Sequence, residues 1–137
     1  MSVLPLPRPR DPAGQAPVAT FDVTITADAA VLSATGELDI SVTGRLAGLI
    51  ERELAFRPRA LVVDASAVTF CAARALTVLL TSAADAHEAG VPFAVVTRSR
   101  AVLRPLGVLG LERALPLHAD LAEALAWLTL LPGLTSR

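Results

Sequence analysis

Apolar and polar residues alternate from Phe21 onward, with Phe21, Val23, Ile25 and Ala27 set between Asp22, Thr24, Thr26 and Asp28. A period of two predicts a half-buried strand. Residues 30–38 predict a second strand, returning through a tight turn around Asp28 and Ala29. The period then lengthens. Leu46, Leu49, Ile50 and Leu54 fall on one helical stripe, Arg45, Glu51 and Arg52 lie opposite, and Ser41 is placed to cap the helix. Leu61–Val63 and Phe93–Val96 are short unbroken apolar runs, which suit central parallel strands covered on both faces.

Between those runs the pattern predicts a helix over 73–89. Leu76, Leu79, Leu80, Ala83, Ala84 and His87 share its inner face, and Gly90 followed by Pro92 ends it. A shorter helical segment follows Ser99, and Pro105 is expected to kink or interrupt it. Residues 114–117 predict a last short strand. Asp120 and Glu123 make a capping-box start to a final helix carrying Leu121, Ala124, Leu125 and Leu128. The element order β-β-α-β-α-β-α-β-α predicts an α/β fold: a mixed four- or five-stranded sheet, with helices packed mainly on one face through right-handed crossovers.

Residues 1–19 differ from the rest. Five of the ten prolines fall there, at Pro5, Pro7, Pro9, Pro12 and Pro17, without a regular apolar period. This predicts a flexible or polyproline-like arm, with the PxP spacing of Pro5, Pro7 and Pro9 as a docking motif in the alternative. One domain is expected over 20–131 and a tail over 132–137. Composition agrees with a folded domain, since 53% of the 137 residues are hydrophobic and 18% charged. Twelve basic against thirteen acidic residues leave a net charge of −1, which argues against direct nucleic-acid binding. Every basic residue is an arginine, the mark of a GC-biased coding sequence. A single cysteine, Cys71, excludes an intramolecular disulfide and suits a reducing cytoplasm. No apolar run approaches the roughly 20 residues of a membrane span, and no signal-peptide core opens the chain. A cytoplasmic protein, not bound to membrane, is expected.

Little in the chain suggests catalysis. There is no Gly-rich phosphate loop, no G-x-S-x-G turn, and no pair of His or Cys at metal-ligand spacing, so neither metal nor cofactor is expected. The two histidines, His87 and His118, are far apart in sequence. Cys71 precedes a helix N-terminus, where the dipole favours a thiolate. The competing reading, a small buried thiol between Phe70 and an apolar helix, is preferred. The chain is not expected to be an enzyme.

The stretch Leu61 to Leu80 reads LVVDASAVTFCAARALTVLL: a buried strand, a polar corner at Asp64–Ser66, a short apolar dip and an immediate helix. With Gly36-Glu37-Leu38-Asp39 before the first helix and Leu109-Gly110-Leu111 before the last strand, it resembles the STAS family of sulfate transporters and anti-sigma factor antagonists. The resemblance covers about residues 20 to 131. It implies an antagonist that binds an anti-sigma factor, itself a serine kinase, and so releases a sigma factor to act in transcription. It also implies a kinase-modified serine at the N-terminus of the second helix.

This chain departs from the family there. Where the family reads Phe-x-Asp-Ser-Ser-Gly-Leu, it has Phe70-Cys71-Ala72-Ala73-Arg74-Ala75-Leu76. Ala73 stands at the acceptor position and has no oxygen to modify. The nearest hydroxyls are Ser66, Thr69 and Thr77, none of them well placed. The partner-binding residues implied are Asp39, Cys71, Ala72, Ala73, Arg74 and Ala75, with an Asp39–Arg74 ion pair one arrangement of that surface. The favoured function is an antagonist without phosphorylation control at the usual site. The alternatives are a ligand-sensing or scaffolding STAS module and, last, a thiol enzyme on Cys71. Trp127, Leu130, Leu131 and Leu134 are apolar enough to hold a homodimer.

Overall fold

The computed structural model describes residues 18–130. Most of the proline-rich arm, and Leu131, Leu134 and the tail, lie outside the described residues. The elements run β1 (Ala19–Ile25), β2 (Ala30–Leu38), α1 (Thr43–Ala55), β3 (Leu61–Cys71), α2 (Ala73–Ala89), β4 (Phe93–Val96), α3 (Arg100–Val108), β5 (Leu117–His118) and α4 (Leu121–Leu128). The five strands form one sheet in the order β1-β2-β3-β4-β5. The β1/β2 pair is antiparallel and the remaining pairs are parallel. This is the mixed sheet that the patterning predicts.

The two faces of the sheet are covered unequally. One face carries Leu32, Leu61, Val63 and Val95 beneath Leu46 and Ile50 of α1, Leu76 and Leu79 of α2, and Val102 and Leu106 of α3. The other carries Val31, Val62, Ala94 and Val96 beneath Ala124 and Leu128 of α4 alone. Alternate residues of one strand therefore serve two cores, which is why the β3 and β4 runs are apolar throughout.

Several local expectations give way. The apolar residues of β1 are not uniformly covered: it is an edge strand with α1 over only part of it, and Val23 and Ile25 face solvent. Ser41 does not cap α1. Its hydroxyl is engaged by the Asp39 carboxylate, and Val42 occupies the cap position without a side-chain bond. On α2 the buried positions are Ala75, Leu76, Leu79, Ser82 and Ala86, while Ala84 and His87 are exposed. Pro105 does not interrupt α3, which runs past it to Val108, anchored on either side by fully buried Val102 and Leu106. The last strand is only Leu117–His118, because Glu112–Ala114 wind into a 3-10 turn instead.

Other expectations are met. Gly90 adopts φ +72° and closes α2, a conformation that costs a glycine nothing. Asp120 accepts from the Glu123 N–H at 2.8 Å to start α4, while Glu123 Oε1 reaches back to the Ala119 N–H at 3.1 Å.

Candidate functional site

Strand β3 is longer than β4, which pairs only with Leu61–Asp64. Beyond that point its carbonyls lack a ladder partner on that side. The loop after β4 supplies donors: the Thr97 hydroxyl bonds Ala65 O at 3.1 Å, and the Ser99 hydroxyl bonds Val68 O at 2.7 Å. Ser99 also accepts from the Ala101 N–H, so one hydroxyl starts α3 and fixes it against the end of β3. On the other side, β2 follows β3 through register shifts next to Gly36. Gly36 has φ +99°, and a Cβ there would stand 2.5 Å from Val18 O, so no larger residue fits. The Ala72 N–H then bonds Leu38 O at 2.9 Å and ties the two strand ends together.

These constraints gather a surface at the C-terminal ends of the parallel strands, the usual place for binding sites in such sheets. A cleft of about 400 Å³ opens between the end of β3 and α3, lined by Phe70, Cys71, Arg100, Arg104, Val108 and Leu109. Phe70 is 48% exposed, and Ile40, Val108 and Leu109 are more so. Large apolar side chains left this open beside cations are a partner-binding pattern, since burying them in the monomer was the alternative. Arg74, Arg100 and Arg104 form no ion pair among the described residues.

The residues expected from sequence divide in two. Ala73 and Arg74 are exposed at the start of α2, with Ala72 and Asp39 half-exposed beside them. Cys71 and Ala75 are buried, 6% and 0% exposed, and support the surface from below, with Cys71 reaching the wall of the cleft. Burial pushes the Cys71 thiol up to about 11, against 9.0 in water, so the helix dipole does not make it a nucleophile. The Asp39–Arg74 ion pair is absent. Asp39 instead accepts from the Ser41 N–H at 2.9 Å and from the Ser41 hydroxyl, while Arg74 lies along the groove between α1 and α2 with Glu51 and Asp85. Ser66 and Thr69 are exposed within β3, and Thr77 donates its hydroxyl to Ala73 O at 3.2 Å. Among the described residues, no group of three or more His, Cys, Asp or Glu side chains comes together as a metal-ligand set.

Ile40, Phe70, Arg100, Arg104, Val108 and Leu109 were not expected from sequence as residues of this surface, although Phe70 and Leu109 belong to the motifs that carry the resemblance. A signal existed for three of them: Arg100, Arg104 and Val108 recur every four residues and so share one face of α3.

The family model described as Mlab, STAS domain, matches residues 21–126. The chain belongs to the STAS domain family. The anti-sigma-F factor antagonist RsfB of Mycobacterium tuberculosis is 38% identical over 98 residues, 70% of this chain and 78% of that protein. The crystal structure of an anti-sigma factor antagonist from Mycobacterium paratuberculosis superposes on this STAS domain with a TM-score of 0.74 at 32% identity, covering 80% of this chain and 93% of that one. The Bacillus cell fate determinant SpoIIAA in its phosphorylated form shares the fold alone, with a TM-score of 0.62 at 14% identity over 79% and 98% of the two chains.

Proposed function

We propose that this STAS protein is an anti-sigma factor antagonist, a protein-binding regulator rather than a catalyst, that docks its partner on the surface built from Ile40, Phe70, Arg74, Arg104, Val108 and Leu109. The observation that carries the reading is the cleft at the end of β3, where exposed Phe70, Val108 and Leu109 stand beside Arg100 and Arg104, which form no ion pair among the described residues, in a chain 38% identical to a named antagonist. The partner is an anti-sigma factor of the serine-kinase type, met in the cytoplasm, and its capture frees a sigma factor. No helix among the described residues is long and apolar enough to cross a membrane. A homodimer through α4 gains little support: Trp127 is spent within its own chain, its ring 4.9 Å from that of His118, although Leu130 is exposed.

The switch at the start of α2 is read as lost. Ala73 is exposed where the family's acceptor serine would meet the kinase, and alanine offers no hydroxyl. Binding is therefore expected to be the same in ATP and ADP. Calorimetry against the anti-sigma kinases of the same cell, with intact mass to follow phosphate transfer, tests both claims. Restoring the family residues with Ala72→Asp, Ala73→Ser and Ala75→Gly should make binding ATP-sensitive. A phosphate on the unaltered chain at Ser66, Thr69 or Thr77 would show that the switch has moved, and no kinase binding more tightly than about 10 μM would end the antagonist reading.

A further inference from the structure

Strand β1 is an edge of the sheet: it pairs with β2 on one side and with no described strand on the other. Its backbone groups divide between the two sides. At the strand ends, Val18 O accepts from the Glu37 N–H at 2.8 Å and the Thr26 N–H donates to Ala29 O at 2.9 Å. Bonds recur at every second residue of an antiparallel pair, so Thr20, Asp22 and Thr24 bond β2. Ala19, Phe21, Val23 and Ile25 therefore turn their N–H and C=O groups outward.

The same residues carry the apolar side chains of the strand, on the face that α1 partly covers, and there Val23 is 38% and Ile25 69% exposed. Sheet edges are ordinarily blunted by lysine, proline or a bulge. This strand reads ATFDVTI and has none of these: its register with β2 is unbroken, and its one charge, Asp22, lies on the opposite face.

We propose that β1 pairs antiparallel with β1 of a second copy, about a two-fold axis at Val23, joining two five-stranded sheets into one. The residues select that axis. An axis at Asp22 would set two carboxylates against each other, one at Phe21 would leave Ile25 beyond the paired stretch, and one at Thr24 would leave Phe21 there. With the axis at Val23, Phe21 faces Ile25 of the second copy, Val23 faces its own equivalent, and Asp22 faces Thr24, a hydroxyl donor for its carboxylate. Three kinds of outward residue then exchange about six backbone hydrogen bonds. The contact is small, so dissociation at about 10–100 μM is expected, among the weak interfaces. β1 does not line the cleft between β3 and α3, so the dimer presents two such clefts.

Sedimentation of the full chain across that range should show a rising dimer fraction. Ile25→Lys, at an exposed position, should weaken association about tenfold, and Val23→Pro, which removes one outward donor, should abolish it. Hydrogen exchange read by NMR should slow with concentration at the Phe21, Val23 and Ile25 amides and stay unchanged at Asp22 and Thr24. That alternation decides the matter on the unaltered chain even where Val23→Pro does not fold. In a Cys71→Ala background, Val23→Cys should oxidise to a linked dimer, since opposed Cα atoms about 5.5 Å apart suit a disulfide, and Thr24→Cys should not. A monomer throughout, a dimer indifferent to both β1 variants, or linking through Thr24→Cys in preference would each overturn the proposal. So would protection of the outward amides in a monomer, which would assign the edge to residues 1–17.

Discussion

At Cys71 the position of a single side chain separates two kinds of chemistry. A thiol just before a helix N-terminus gains from the dipole only if it is solvated enough to ionise, and Cys71 lies buried under the rim of the arginine-lined cleft. Desolvation therefore dominates and lifts its pKa from 9.0 to about 11. The consequence for stability follows from linkage. Below pH 9 folded and unfolded chains both hold the proton. Between 9.0 and about 11 the unfolded chain releases it first, so stability falls as pH rises through that window. The chain has no lysine and no tyrosine, so no other side chain type titrates there. Urea midpoints measured from pH 8 to 11 should decline for the native protein and stay flatter for Cys71→Ala. Matching slopes for the two proteins would show that the thiol is not desolvated. Native labelling of Cys71 by a thiol reagent should likewise be slow at neutral pH and fast in urea.

The start of α2 is unusual as an element. Ala72 has the extended conformation of a cap (φ −67°, ψ 156°) but no oxygen with which to accept a free N–H, and the first turn holds no acidic residue. Ala72→Ser should add a cap and stabilise the domain by about 1 kcal/mol, read as a higher urea midpoint with unchanged slope. No change would mean that the Leu38 contact holds Ala72 in a geometry the serine cannot use. What the sequence made legible at this scale has a physical pattern. Elements such as β2 over 30–38 and α2 over 73–89 had bounds readable to the residue, although the inner face expected of α2 wrongly included Ala84 and His87. Those depending on long-range partners were not. The alternation in β1 gave no sign that α1 would leave Val23 and Ile25 bare, and Pro105 gave no sign that a short helix pinned by Val102 and Leu106 would tolerate it. The candidate site was half legible for the same reason. Its α2 residues are local to one motif, whereas Arg100 and Arg104 reach β3 only because Thr97 and Ser99 bond carbonyls more than thirty residues earlier.

Across the whole molecule, the proposed partner surface lies apart from the helix that closes the second face of the sheet. Three helices cover one side of the sheet, and α4 alone closes the other, with Leu128 1% exposed over the Ala- and Val-lined strip of β2, β3 and β4. Those small residues give the helix close contact but little else to collapse into a void, so Leu128→Ala should cost about 2–5 kcal/mol. Arg104 is the opposite case. It is exposed on α3 and unpaired among the described residues, so Arg104→Glu should move stability by less than about 0.5 kcal/mol. If the arginine-lined cleft receives an anti-sigma factor, reversing that charge should weaken binding by about tenfold or more, while Leu128→Ala, measured well below its own melting temperature, should bind as the native protein does. Thermal melts and calorimetry on the same two variants check the separation. Loss of affinity in folded Leu128→Ala, with Arg104→Glu unaffected, would place the partner on the α4 face and move the functional surface to the other side of the sheet.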